Sequence, residues 1–316
     1  MPSTTKIVFI HQGDSWFLPY ALNQALSKNP KDVILLTDDT SRSLSSSIQM
    51  VSFDDCTTET NTDAEKFKQN YKHMSTNSVQ FELFCWLRWF HLLDLMKKEK
   101  LSSVFYLDTD VLLYSSARDM LNVFSDQDKL WCGFSIPEHP ENSLDWAASA
   151  HTSYWTIESL ESFCQFINKS FSDPNYLAQY EKKWSWHQKN NLGGGICDMT
   201  TLFLFWRDNP STITNFSQAK NEAVIDHNAN LNSNYSENEY LMKSRIKAIK
   251  TINGAPHFYN IQTQSSTRAL SIHFQGGAKK YMPLYYIGNR FYLRHPQSTL
   301  QHIAKILRGW RKLYRR

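Results

Sequence analysis

Apolar residues gather early in the chain into two short unbroken runs. KIVFI, from Lys6 to Ile10, and DVILL, from Asp32 to Leu36, each predict a buried strand. Between them a polar turn, HQGDS, leads into WFLPYALNQALSKN, whose apolar spacing predicts a helix. The result is a β–α–β unit with polar residues at both strand ends, the edge at which open α/β sheets bind ligands. Residues 40–75 are polar and weakly periodic, which predicts loops with one short helix. Gln80 to Lys98 predicts a long helix, with Phe84, Leu87, Trp89, Phe90, Leu92 and Leu93 on one wide apolar face. SVFYLDTDVLLY predicts a short buried strand with a charged interruption, and Leu130 to Ile136 another strand. Thr156 to Asn168 predicts a helix, Gly195 to Cys197 a strand edge, and Glu237 to Lys247 a further helix. No repeat or linker interrupts the pattern. The expected organisation is one α/β domain over residues 1–285 with a basic amphipathic extension over 286–316.

Composition narrows the classes. A chain of 316 residues, 41% hydrophobic and with only 10 Gly and 10 Pro, is neither disordered nor fibrous. Its five Cys (Cys56, Cys85, Cys132, Cys164 and Cys197) are scattered and contain no CxxC pair, which argues against a disulfide framework or a structural zinc site and for free thiols in a reducing compartment. The first apolar run is too short for a signal peptide, and no stretch is apolar enough to span a membrane. A cytoplasmic location, peripheral at a membrane, is the expectation. The formal net charge of +4 conceals a division: all 30 Asp and Glu precede Tyr240, whereas 15 of the 34 Lys and Arg follow Glu239. An acid-free final quarter suggests an anionic partner.

Asp108 and Asp110 require an explanation. Val104 to Leu107 precede them and Val111 to Leu113 follow, and carboxylates in such a run are costly unless paired, hydrogen-bonded or bound to a cation. Their i, i+2 spacing at a strand end aims both at one hard cation, Mn²⁺ or Mg²⁺. Two enzyme classes share this pattern. In haloacid-dehalogenase phosphatases the first acid, here Asp108, is a nucleophile. In sugar-nucleotide transferases both acids of a DxD motif hold a metal on a diphosphate. Much later, SIHFQGGAKKYM places His273, Gly276 and Lys279 in the spacing HxxGxxK. An imidazole supplies a third metal ligand, glycine allows close backbone approach to phosphate, and lysine supplies countercharge.

FYLDTDVLL followed by HxxGxxK resembles retaining glycosyltransferases of family 8 and their near relatives, from about Lys6 to Lys279. Two intermediate blocks support the resemblance, NLGGGICD where the family has N-A-G-V and ENEYLM where it has D-Q-D-x-L-N; PHFYN resembles its P-x-x-(Y/W)-N turn. The resemblance implies a GT-A-type domain with a Rossmann-like mixed central sheet. It implies a metal on Asp108, Asp110 and His273, and a diphosphate at Gly276 and Lys279. His11, Gln12, Gly13, Asp38 and Asp39 would face the nucleoside, and Arg88 would bind the nucleotide. Asn191, Glu237 and Asn238 would hydrogen-bond the donor sugar. The chain departs from the family in reading Lys279-Lys280-Tyr281 for K-P-W and Glu237-Asn238-Glu239 for D-Q-D. The implied activity transfers a sugar from a nucleotide-sugar donor, a UDP-sugar foremost, to a carbohydrate or lipid-linked hydroxyl acceptor with retention. The alternatives are a phosphatase using Asp108 and a non-catalytic carbohydrate- or lipid-binding protein.

Two segments carry further expectations. Ser149 to Trp155 gathers polar and aromatic groups before a helix, for the acceptor side or for capping that helix. From Ser298 an apolar stripe (Leu300, Ile303, Ile306, Leu307, Trp310) flanked by six cationic residues predicts a helix for an anionic membrane surface or for packing on the domain. No nucleic-acid motif accompanies the charge.

Overall fold

The computed structural model describes residues 5–56, 62–125, 130–139 and 143–288, together with Ala304 and Leu307. β1 (Lys6–His11), α1 (Leu18–Lys28) and β2 (Val33–Thr37) form the expected β–α–β unit. Its strands are apolar throughout because both faces are covered. Ile7 and Phe9 pack into one core with α1, while Val8 and Ile10 pack into a second. Residues 40–75 hold more structure than their polarity suggests: edge strand β3 (Gln49–Ser52), α2 (Phe53–Cys56) and α3 (Thr62–Asn70). Only Val51 of β3 is buried, so no period of two marks it in the sequence.

The long helix α4 (Val79–Lys98) begins where the Ser78 hydroxyl accepts from the Phe81 amide, and Lys97 and Lys98 occupy its last turn. Its apolar face buries Trp86, Trp89, Phe90 and Leu92. The run expected as one interrupted strand is two, β4 (Ser103–Leu107) and β5 (Val111–Leu113), which belong to different sheets. The acids occupy the joint between them. α5 (Ala117–Phe124) follows with a Ser116–Asp119 capping box, then β6 (Cys132–Ser135).

Ser149 to Trp155, expected on the acceptor side or as a cap of the following helix, forms most of β7 (Ser149–Thr156), buried except at Thr156. Thr156 caps the expected helix, α6 (Ile157–Ser170). Helices α7 (Pro174–Lys189) and α8 (Asp198–Asp208) were not evident from the sequence, although Asp173 followed by Pro174 is a helix start signal. The strand edge expected at Gly195 is a single bridge to Ser75.

Short strands follow: β8 (Ile213–Asn215), β9 (Ala223–Ile225), β10 (Met242–Lys243), β11 (Ile246–Lys247), β12 (Ile249–Ile252), β13 (Ala255–Asn260) and β14 (Ser265–His273). The helix expected over Glu237 to Lys247 is instead the β10–β11 hairpin. Its turn residues Ser244 and Arg245 have φ of 53° and 71°, and Asn238 has φ of 55°, values a right-handed helix excludes. A 3₁₀ turn (Gly276–Tyr281) and α9 (Met282–Tyr285) close the described chain. The basic extension over 286–316 lies outside the described residues, save for its first three positions and the helical Ala304 and Leu307.

The fold is mixed α/β. The central sheet runs β3-β2-β1-β4-β7-β6-β8, with β3, β2, β1 and β4 parallel and β7 antiparallel to β4. A second sheet runs β12-β13-β14-β5, and β9 pairs alongside β14. All five cysteines are free thiols. Among the described residues no helix is long and apolar enough to cross a membrane.

One buried group in this core makes stability depend on pH. His91 on α4 packs with its ring 5.0 Å from that of Phe53, and its Nδ1 finds no partner among the described residues. Burial, aided by Lys68, pushes its pKa down to about 4. A folded-state value below the unfolded one favours the neutral ring, so stability is lost as pH falls from about 6.5 to about 4, by up to about 3 kcal/mol. Urea melts at pH 7 and pH 4.5 should therefore show a smaller acid loss for His91→Phe than for the parent chain. An unchanged loss would clear His91 as its source.

Candidate active site

The backbone at the β4–β5 joint is fixed from both sheets. The Asp108 amide donates to the His151 carbonyl at 2.8 Å, and the Val111 amide turns back to the Asp108 carbonyl at 3.1 Å. Strand β14 pairs with β5 in the register that sets His273 opposite Val111, and the Phe274 amide donates to the Asp110 carbonyl at 2.9 Å. Sheet register thus delivers His273 to the two acids. Ligand atoms of Asp108, Asp110 and His273 all lie within 4.8 Å of one another.

Each carboxylate is oriented differently. Asp108 Oδ1 accepts from Arg88 Nη1 at 3.0 Å and from the Tyr106 hydroxyl at 2.6 Å. Arg88 also donates Nη2 to Asp198 Oδ2 at 2.6 Å, and Trp89 Nε1 donates to that same oxygen at 3.0 Å. Arg88 therefore bridges two acids, one at the joint and one at the start of α8. Asp110 lies 3.3 Å from His273 Nε2 through Oδ1 and 2.7 Å from Lys279 Nζ through Oδ2. Burial alone would raise its pKa, but His273 and Lys279 outweigh burial and hold the carboxyl far below the usual range. Burial likewise opposes charge on His273, and Asp110 overrides it, raising the imidazole pKa.

The donor set suits a hard divalent cation. His273 Nδ1 donates to the His227 carbonyl at 2.8 Å, which fixes the ring and turns Nε2 towards Asp110. Two carboxylates and one such nitrogen match the oxygen-rich coordination of Mn²⁺ or Mg²⁺. Behind the cluster sits a second layer. The His151 ring stacks on His273 with centroids 4.4 Å apart. Asp226 Oδ2 accepts from the His273 amide at 3.2 Å, while its Oδ1 accepts from the fully buried Lys247 at 2.6 Å. Asp226, His227 and Lys247 were not singled out from the sequence. The available signal was AVID, an apolar run ending in an acid, the same pattern that marked FYLD.

A cleft of about 650 Å³ opens over the joint at the carboxyl edge of the central sheet. His11, Gln12, Arg88, Asp108, Asp110 and Lys279 all line it. His11 Nε2 is buried in its wall with no partner among the described residues, and burial, with Arg42, lowers the pKa of this ring. Cys197 and Asp198 line the opposite side, with Gly194 and Gly195. That loop is fastened by the Thr76 amide to the Gly194 carbonyl at 2.9 Å and by the Ile196 amide to the Met74 carbonyl at 2.8 Å. A Cβ on Gly195 would meet the Met74 carbonyl oxygen at 2.3 Å, so only glycine permits the close approach.

Other expected residues fall elsewhere. The Gly13 amide donates to Asp38 at 2.9 Å, and Arg42 binds both the Gly13 carbonyl and Asp38, which ties the ends of β1 and β2 together. Asp38 and Gly13 do not touch the cleft, nor does Gly276, whose φ of 53° starts the 3₁₀ turn that carries Lys279. Asn191 is exposed at the end of α7. Asn238 accepts from Asn232, and the Glu239 carboxylate caps the Asn234 and Tyr235 amides. The Glu237 carbonyl accepts from Gln262. Against His273 the structure places Asp226 and His227.

Fold and site together define an α/β protein with a carboxylate–imidazole cluster at the carboxyl edge of its central sheet. No protein-family model matches the sequence, and no curated protein matches it. Among solved structures the chain is similar to mouse xyloside xylosyltransferase 1 in its apo form, at 13% identity over 66% of this chain and 83% of that one, with a TM-score of 0.43. It is also similar to an active-site mutant of LgtC and to the galactosyltransferase LgtC in complex with donor and acceptor sugar analogs, at 16% and 15% identity and a TM-score of 0.35 for both. Each LgtC match covers 54% of this chain, which spans 65% and 66% of the LgtC chains, just under two thirds.

Proposed function

We propose that the chain is a metal-dependent glycosyltransferase that moves a sugar, a hexose foremost, from a nucleotide-sugar donor to a hydroxyl acceptor with retention. The observation that supports it most is the Asp108–Asp110–His273 cluster, with Lys279 on Asp110, in a cleft at the carboxyl edge of the sheet. Asp108, Asp110 and His273 hold Mn²⁺ or Mg²⁺ in this reading. A divalent cation bound there supplies Lewis acidity to the leaving diphosphate of the donor, a UDP-sugar foremost. Lys279 turns its charge to the same diphosphate. Arg88 and Tyr106 keep Asp108 oriented, and His11 offers its unpartnered Nε2 to the nucleotide. No residue is assigned as a covalent nucleophile.

Thermal denaturation with UDP, GDP and their sugar conjugates, with and without Mn²⁺, tests the donor class. Ligand present at a hundredfold over its Kd stabilises the native state by about 2.7 kcal/mol, which is readily measured. A rise in Tm that requires nucleotide and metal together is the expected result, and EDTA should abolish it. No response to any nucleotide removes the reading. Hydrolysis of a simple phosphate ester without nucleotide would instead favour the phosphatase, with Asp108 transiently phosphorylated. The basic segment from Ser298 is proposed to meet an anionic membrane surface, to be tested by vesicle co-sedimentation of the full chain against one ending at Thr299.

A further inference from the structure

A second cleft, of about 540 Å³, lies on the far side of β7 from the metal cluster. Strand β6 lies two places from β4 in the central sheet and runs parallel to it, so the carboxyl end of β6 opens on the same edge, about 10 Å away. Helix α8 links the two clefts. Asp198 at its start lines the first and Trp206 near its end lines the second, about 12 Å along the axis. Contacts connect them as well. The His227 carbonyl holds His273, the His227 amide donates to Asn234, and the adjacent Tyr235 carbonyl accepts from the Glu138 amide in the second cleft.

The walls of this cleft combine flat aromatic faces with exposed polar groups. The Trp146 and Phe203 rings stack with centroids 5.4 Å apart, and Trp206 packs on Phe203, also at 5.4 Å, while remaining partly open to the cleft. Glu138 and Gln218 are exposed beside them and make no side-chain hydrogen bond among the described residues. By contrast Asn215 is fully committed, accepting from the Ile136 and Ser217 amides and donating to the Ile136 carbonyl. An indole face beside an uncommitted carboxylate and an uncommitted amide is the pairing a pyranose ring requires: C–H patches lie on the aromatic ring and hydroxyls bridge to the polar groups. A charged ligand fits less well, because the lining carries both an acid, Glu138, and a base, Arg207.

We propose that this cleft is a distal subsite for a neutral oligosaccharide whose terminal sugar reaches the metal cluster. The acceptor is then an extended glycan, held at the metal cluster and again along the β6–β8 side of the sheet, and not a single sugar. Use of the subsite in catalysis rests on the glycosyltransferase reading; its affinity for glycan does not. Separate measurements therefore address each. A printed array of defined glycans is probed with the full chain, and the best trisaccharide and its terminal monosaccharide are then titrated by tryptophan fluorescence. Trp206→Ala, and independently Glu138→Gln with Gln218→Ala, should weaken trisaccharide binding at least tenfold and leave the monosaccharide unaffected. In a transfer assay the same variants should raise KM for the trisaccharide acceptor at constant kcat, with donor hydrolysis unchanged. If no glycan binds, or if the Glu138/Gln218 variant binds trisaccharide as the parent does, the subsite is overturned. If glycans bind through Trp206 but no nucleotide sugar is consumed, the subsite stands and the transferase reading falls.

Discussion

On the proposed function, Asp110→Asn is expected to abolish metal-dependent transfer and to leave a folded protein. The carboxylate is shared between His273 Nε2 at 3.3 Å and Lys279 Nζ at 2.7 Å, and it is the more buried of the two acids at the joint. The amide keeps its shape but loses its charge, and with that its value as a ligand. Loss of metal-derived charge stabilisation is worth several kcal/mol, or at least about a thousandfold in rate. The fold survives for two reasons. Lys279 has 29% of its side chain exposed and turns to water, and His273 Nε2 keeps a polar partner in the amide that replaces the carboxylate. The measurement is transfer rate against Mn²⁺ concentration beside far-UV circular dichroism. Full activity of this variant in EDTA would sink the metal proposal.

Lys247→Met lowers Tm on the order of 10 °C. Lys247 and Asp226 are fully buried with their charged atoms 2.6 Å apart, and Lys247 also donates to the Asn228 carbonyl at 2.9 Å. Removal of one partner strands the other, at a cost of about 3–5 kcal/mol, and a chain of this size loses a few degrees per kcal/mol. The double variant Asp226→Asn with Lys247→Met should recover a large part of the loss, since no charge remains buried alone. Scanning calorimetry of the three variants completes the cycle. If Lys247→Met melts with the parent chain, the pair contributes little to the fold. Because Asp226 also accepts from the His273 amide, metal affinity should weaken in the single variant before the fold is lost.

Sequence patterns made the mixed α/β fold and the acid pair legible, but not what surrounds the acids. Asp108 and Asp110 stood out because apolar residues on both sides made their charge costly, and HxxGxxK stood out because a histidine, a glycine and a lysine fell at functional offsets. Both observations are local. The second layer was missed because it is made by tertiary register: Lys247 and Asp226 are ordinary charged residues until the chain buries them together. Likewise Glu237 to Lys247 carries helix-like apolar spacing, and only the left-handed turn at Ser244 and Arg245 shows that it is a hairpin. Ser149 to Trp155 misled in the opposite sense. His, Ser and Thr in a row suggested a ligand-facing block, yet Ser149 pairs with His151, His151 with the Asp226 carbonyl, and Ser153 with Trp155.

The crossing of the chain from β4 into β5 has a consequence for how the protein comes into being. Both aspartates are made well before His273, and the strand that carries His273, β14, pairs with β5 from the far side of about 150 intervening residues. Any nascent or prematurely terminated chain ending before His273 carries the acid pair without its third donor and without Lys279. On the proposed function, such fragments lack the complete donor set for a cation. The cluster is thus completed in one step, when β14 pairs with β5.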